Sequence, residues 1–261
     1  MISDKFKQYC TDGFIRFLFR HIVPLSFTYL KNREEHEFLV MSIVLSVFDK
    51  WYLITAGHCL KEIEELETRL GYKYLRSFFV DNMNINAKHI DPVPFDYKTL
   101  RHSYVDEPNS YDYGIIIVDY LSRRNLEANG IAALDENAWR RDSDPFDFFT
   151  LLGIPKELTR YDPQFLNISS LLLNVEPLNN KPDGFPDTIL PIFYGKVDLA
   201  LRVNSIEGMS GSPIFGLRKN EMGQLKYWLI AVQSGWIPTT QHISACPVNY
   251  LAECLSELFN D

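Results

Sequence analysis

The sequence predicts an all-β protein, a barrel or a sandwich, and three observations predict it. Its apolar runs are of strand length, the longest being Phe38–Phe48 and Ile115–Val118. Turn residues separate many such runs, most densely in the second half, as in small β-barrels. No run approaches the roughly 20 apolar residues that cross a bilayer as a helix, so no membrane partner is expected. The 261 residues, 46% hydrophobic and 14% aromatic, suffice for one large all-β domain or two small lobes.

Each element follows from local pattern. Ile15–Leu30 is partly apolar but broken by Arg16, Arg20 and His21, which reads as a short amphipathic helix. Glu37–Val47 alternates and is rich in Val, Ile and Leu. With a turn at Asp49-Lys50 and a second strand Trp51–Thr55, it reads as a β-hairpin. Leu60, Ile63, Leu66 and Leu70 recur at helical spacing with charges between them, an amphipathic helix. Tyr72–Asp81 and Ile85–Ile90 are weaker strands, and Ile115–Asp119 is a short buried one. Ser122–Ser143 is polar and reads as a connector with a helical piece at Glu136–Arg141. Strands follow at Phe148–Ile154, Ile168–Val175, Lys196–Val203, Ser212–Leu217, Lys226–Gln233 and Gln241–Ala245, with a Pro/Gly/Asn loop at Pro177–Asp187. The tail from Val248 to Leu258 places Leu251, Cys254, Leu255 and Leu258 on one helical face.

Composition narrows the function. A net charge of −8 argues against a nucleic-acid partner, because phosphate binding needs a basic footprint. Of the four cysteines, Cys10, Cys59, Cys246 and Cys254, none forms a Cys-x-x-Cys pair, so no metal site and no cofactor is expected. Cys246 and Cys254 are spaced to bridge a loop or to remain free buried thiols. The N-terminal residues lack the long apolar core of a secretory signal, which places the expected compartment in the cytoplasm.

Three segments carry chemistry. Ile206-Glu-Gly-Met-Ser-Gly-Ser-Pro-Ile-Phe215 holds Ser210 among glycines. A serine hydroxyl is a weak nucleophile at neutral pH and needs a base beside it, and donors aimed at the oxyanion that develops. Gly208 permits a tight loop in which its N–H lies beside that of Ser210, and Gly211 leaves the approach to Ser210 open. Taken alone the segment is also compatible with a plain Gly/Ser turn. Leu53-Ile-Thr-Ala-Gly-His-Cys-Leu60 presents His58 where a strand gives way to a helix, a rigid mount for a base. Tyr111-Asp-Tyr-Gly-Ile-Ile-Ile-Val118 places Asp112 at the mouth of an apolar strand, where a carboxylate can orient an imidazole. Asp119, at the other end of that strand, is the rival acid. The order His, Asp, Ser separates this set from the G-x-S-x-G elbow of α/β-hydrolases. Residue 212 is Ser rather than Gly, and the downstream His242 has only Glu221 before it as an acid.

Together Thr55–Leu60, Asp112–Ile116 and Gly208–Pro213 resemble the trypsin-like, chymotrypsin-fold serine peptidases, in particular the bacterial stand-alone type. Leu152-Gly-Ile-Pro155 resembles a strand end near the start of that family's second barrel. The resemblance implies two Greek-key antiparallel β-barrels with the site between them. It divides the chain into an N-terminal extension 1–35 and a peptidase domain 36–261. Within that domain the first barrel is about 36–125, the second about 145–248 and a C-terminal helix about 248–259. It implies His58, Asp112 and Ser210 as the triad and the N–H groups of Gly208 and Ser210 as the oxyanion hole. Peptide would add along Val232-Gln-Ser-Gly235, with Asn204, Ser205, Gln233, Ser234, Gly235 and Trp236 bordering the substrate. The expected partners are a protein or peptide substrate and an activating protein. Four departures stand out. Met209 replaces the Asp that pairs with a freed N-terminus in secreted relatives, so the oxyanion loop is either preformed or ordered by a partner. Cys59 lacks an upstream cysteine near Ser42. The helix after His58 is longer and more charged. Asn204 leaves the pocket floor without a counter-charge for Lys or Arg.

Overall fold

The computed structural model describes residues 12–83, 92–100, 102–105, 111–139, 145–161, 166–199, 203–222, 224–251 and 255. The described residues begin with helix α1 (Asp12–Leu18), continue through a 3-10 turn to His21, and enter strand β1 (Leu25–Lys31). The helix expected over Ile15–Leu30 therefore ends early. Its second half is a strand whose side chains are buried through Tyr29, because β1 lies between two partners and both its faces are covered.

Strands β2 (Glu34–Val40), β3 (Ile43–Val47), β4 (Lys50–Thr55), β5 (Lys73–Phe79), β6 (Val93–Phe95), β7 (His102–Val105) and β8 (Tyr113–Val118) complete the first half. They form two four-stranded antiparallel sheets, ordered β2-β1-β5-β6 and β3-β4-β8-β7. The run expected as one strand, Glu37–Val47, is split between these sheets at Met41-Ser42. The hairpin β3–β4 forms as expected, but its turn is Phe48-Asp49, with φ values of 49° and 62°. Two positive φ angles give the turn whose twist matches antiparallel strands, and Asn32-Arg33 repeat it between β1 and β2. The region 84–91, with the expected strand Ile85–Ile90, lies outside the described residues.

Helix α2 (Gly57–Thr68) begins three residues before its apolar stripe. Leu60, Ile63 and Leu66 are buried, whereas Leu70 lies past the helix end and is exposed. The expected connector is described as far as Trp139. It contains α3 (Tyr120–Ala128) and α4 (Glu136–Trp139). Asp119 caps α3, accepting from the N–H groups of Leu121 and Ser122. That role removes it as the rival acid.

In the second half, β9 (Phe148–Gly153), β12 (Leu171–Leu178), β13 (Phe193–Val197), β14 (Pro213–Lys219), β15 (Leu225–Ile237) and β16 (His242–Pro247) close a six-stranded barrel. Its order is β9-β12-β13-β16-β15-β14, and β14 returns to pair with β9. A side hairpin joins β10 (Thr159–Tyr161) and β11 (Leu166–Ile168). The described pairings close this barrel, and the two antiparallel sheets of the first half complete an architecture consistent with the expected double barrel. The tail turns through Val248–Tyr250, and Leu251 and Leu255 are buried. Cys254 and Leu258 lie outside the described residues.

One apolar cluster fills the first half around Phe27, Leu53, Leu60 and Ile116. Another fills the barrel around Leu151, Met209, Ile214 and Ile243. A third joins the halves, bringing Met41, Ile54 and Ile115 against Leu152, Phe215 and Val232. The cleft above that seam carries the site.

Candidate active site

Strand pairing brings His58 and Asp112 together. Thr55, the last residue of β4, lies opposite Gly114 of β8, so the chain leaving β4 passes the residue entering β8. A Cβ on Gly114 would fall 2.7 Å from the Thr55 methyl and 2.9 Å from Leu60, so glycine allows α2 to settle on β8. His58 is thereby in the first turn of α2, whose N-cap residue Ala56 supplies no side-chain hydrogen bond. Asp112 supplies it instead. Its Oδ1 accepts the His58 amide at 2.8 Å, and its Oδ2 accepts the His58 ring Nδ1 at 2.6 Å. One carboxylate thus satisfies an orphan helix N–H, complements the positive helix end, and fixes the imidazole. The Asp112 amide donates to the buried thiol of Cys246 at 3.1 Å.

The His58 imidazolium is stabilised well above its ordinary value. Burial opposes the charged form, but hydrogen bonds to Asp112 and then Cys59 outweigh it. The Cys59 sulfur lies 3.6 Å from His58 Nε2.

The Ser210 loop is set by glycines and by one buried side chain. Gly211 has φ +89°, and a Cβ there would fall 2.1 Å from the Met41 carbonyl and 2.2 Å from Thr55 Oγ1. Only glycine lets the loop press against the strands that carry His58. Behind it, Gly211 N donates to Gln233 O at 2.8 Å and Gln233 N to Ser212 O at 2.9 Å, tying the loop to β15. Met209 is fully buried in the barrel core. Its methyl lies 2.9 Å from where a Cβ on Gly153 would stand, so Met209 packs directly over that glycine.

Gly208 has φ +87°. The carbonyl of Glu207 accepts the Lys156 amide at 2.8 Å. In a trans peptide the C=O and the following N–H point in opposite directions, so this bond aims the Gly208 N–H away from Lys156. Among the described residues neither the Gly208 nor the Ser210 amide donates to a protein acceptor, although their loop neighbours Met209, Gly211 and Ser212 all do. Two free N–H groups beside a serine are what an oxyanion requires. Ser210, Gly208 and His58 line one cavity of about 600 Å3. The Ser210 hydroxyl makes no hydrogen bond to His58 among the described residues, so the two share a cavity without being linked.

The remaining expected site residues do not line that cavity. Asn204 is exposed, and Glu157 accepts both its amide and its side-chain NH2 at 2.9 Å. Ser205 Oγ accepts the Glu207 amide at 3.0 Å. Gln233 is buried, its side chain donating to Gly235 O at 3.0 Å. Ser234 falls at an irregularity between β15 and β16, and Trp236 packs on the barrel core. A Cβ on Gly235 would meet Ser244 Oγ at 2.2 Å. Cys246 is not disulfide-bonded, so the alternative of a bridge to Cys254 is not realised. Sequence reasoning did not find the Lys156 amide, the Cys246 thiol or the packing of Met209. These are backbone or apolar contacts, and nothing in their spacing marks them. No cluster of His, Cys, Asp and Glu suited to a metal ion occurs among the described residues. None of their helices is long and apolar enough to cross a membrane.

No family model matches the chain, and no curated protein matches it. Solved structures do. One described as Deg5 aligns with a TM-score of 0.54 at 12% identity, covering 99% of this chain and 99% of that chain. An inactivated protease paralogue of the scabies mite, S-I1, aligns with a TM-score of 0.51 at 15% identity, covering 95% and 97%. The protease Anisep from Arthrobacter nicotinovorans aligns with a TM-score of 0.49 at 16% identity, covering 87% and 90%. The fold is the trypsin-like, chymotrypsin-type protease fold.

Proposed function

We propose that the protein is a serine endopeptidase in which Ser210 is the nucleophile, His58 the base and Asp112 its orienting acid. The observation that carries this reading is the pair of unspent amides at Gly208 and Ser210, beside a histidine whose Nδ1 is held at 2.6 Å by a carboxylate. In the proposed reaction His58 Nε2 takes the Ser210 proton as Oγ attacks the peptide carbonyl. The Gly208 and Ser210 amides hold the resulting oxyanion. His58 then protonates the leaving amine, and water, activated the same way, hydrolyses the acyl-enzyme. Asp112 stays ionised and stabilises the imidazolium. The acyl half of the substrate is proposed to lie along Val232–Gly235, bordered by Asn204, Ser205 and Trp236. Burial of Met209 supports a loop ordered from within, without an activating partner.

A second reading is a protease fold that binds peptide and cleaves none. It draws on the absent Ser210–His58 hydrogen bond and on the inactivated scabies mite neighbour. A fluorophosphonate probe separates the two, because it reacts only with an activated serine. Labelling that disappears in Ser210→Ala, with peptidase kcat falling by about 10⁴ or more, is the expected result. A wild-type protein that never labels would leave the binding reading in place.

A further inference from the structure

The cavity beside Ser210 contains none of the residues proposed for the acyl half of the substrate. It runs instead from Gly208 and His58 between β2 and α2. Given the peptidase reading, on which its direction rests, it receives the residues that depart with the amine His58 protonates. Three features define what it accepts. β2 is the edge of its sheet, paired only with β1 among the described strands, so its other edge offers N–H and C=O groups to an added extended chain. The floor is apolar, made by Val40, Ile63 and Leu66. The lining carries four carboxylates, Glu37, Glu62, Glu65 and Glu207, against one ammonium, Lys156.

Three of those carboxylates are already engaged. Glu65 pairs with Arg69 at 2.8 Å and Glu207 with Lys156 at 3.1 Å. Glu37 accepts the hydroxyls of Ser26 and Thr28 at 3.2 and 3.1 Å. Glu62 is exposed and has no partner among the described residues. It stands four residues after His58, hence on the same helical face and one turn beyond the base. We infer that this groove selects the leaving half of a peptide substrate: an extended segment that sets an aliphatic or aromatic side chain on the Val40, Ile63 and Leu66 floor and a Lys or Arg beside Glu62.

The test uses Ser210→Ala protein to retain members of a randomised peptide library, a readout that needs no catalysis. Retained peptides are expected to be enriched in an apolar residue near a Lys or Arg. Adding Glu62→Lys should lower retention of the basic peptides about fivefold, since it turns an exposed attraction into a repulsion. Adding Glu221→Lys, the same charge change on the β14–β15 turn outside the cavity, should not. Retained peptides without basic enrichment, or equal shifts in both charge variants, overturn the inference. Wild-type protein should cut the retained peptides so that the basic residue stays on the C-terminal fragment, and a basic residue on the N-terminal fragment overturns the assignment of direction. Fluorophosphonate labelling reports separately on the peptidase reading. Enrichment without labelling keeps the groove as a binding site and removes catalysis. Labelling without enrichment does the reverse.

Discussion

Met209→Ala should disable the serine before it unfolds the protein. Met209 is fully buried among Leu151, Ile206 and Ile214 and packs over Gly153. Truncation deletes its thioether and terminal methyl and leaves a cavity, which costs about 2–5 kcal/mol. The anchor belongs to the turn that carries both free amides, so the loss falls first on local opening of that loop. At about 3 kcal/mol the open population rises on the order of a hundredfold, since each 1.4 kcal/mol is about a factor of ten. Global melting should fall by about 2–4 °C per kcal/mol for a chain of this size. Met209→Leu conserves volume and should cost less than about 1.5 kcal/mol. Met209→Asp buries a carboxylate where only apolar side chains surround it, and should be the worst of the three. The assay is the second-order rate of fluorophosphonate labelling at Ser210, measured beside the thermal midpoint. The expected labelling order is wild type, Leu, Ala, Asp. Wild-type labelling by Met209→Ala would refute the idea that this side chain orders the loop. Wild-type stability in Met209→Asp would show that a cation reaches the site.

Two predictions concern pH. His58 has its folded pKa raised above 6.5 by Asp112 and Cys59 against burial, with the Glu62 carboxylate one turn away. Only the neutral imidazole acts as base, so the labelling rate should climb with pH through a midpoint above 6.5, and a midpoint at or below that value would contradict the geometry. The sign for stability is opposite: this group's contribution is complete below 6.5 and is lost as pH rises through the raised value. His21 behaves differently. It is buried between the Ala132 carbonyl at 2.5 Å and the Tyr227 hydroxyl at 2.7 Å, and burial pulls its pKa down to about 4. Its contribution is complete above 6.5 and is lost as pH falls from 6.5 to about 4, a cost of about 3 kcal/mol. In His21→Gln the acid-dependent fall in urea midpoint should be visibly smaller, and identical fall in both proteins would remove His21 as the cause.

Much of the candidate site was legible because the proposed chemistry demands particular residue types in particular order. A base, an acid and a nucleophile flanked by glycines leave few other uses for those letters, and their order excluded the hydrolase elbow. The β3–β4 hairpin was legible as well, because two short runs rich in Val, Ile and Leu flank a turn. The reading failed where tertiary contact overrode local pattern. The β1 segment reads as part of a helix broken at Arg16, Arg20 and His21, yet its polar residues, Ser26 and Thr28, are buried in a sheet and answered by Glu37 across the strand pair. Glu37–Val47 reads as one strand, yet the chain changes sheet at Met41-Ser42, a bend the alternation does not encode. Leu70 continues a helical stripe beyond the point where the helix ends.

By itself the sequence determined an all-β fold class, the order of His58, Asp112 and Ser210, and the glycines that a tight nucleophile loop requires. All of these are constraints on side-chain chemistry and backbone freedom that act within a few residues. The tertiary structure decided that Asp112 caps the helix bearing His58, that a Lys156 amide aims the Gly208 N–H, and that Met209 is an internal anchor. It also opened an acidic groove between β2 and α2. Each of these joins segments far apart in the chain through a backbone hydrogen bond or apolar burial, and neither interaction leaves a periodicity or a motif in the sequence.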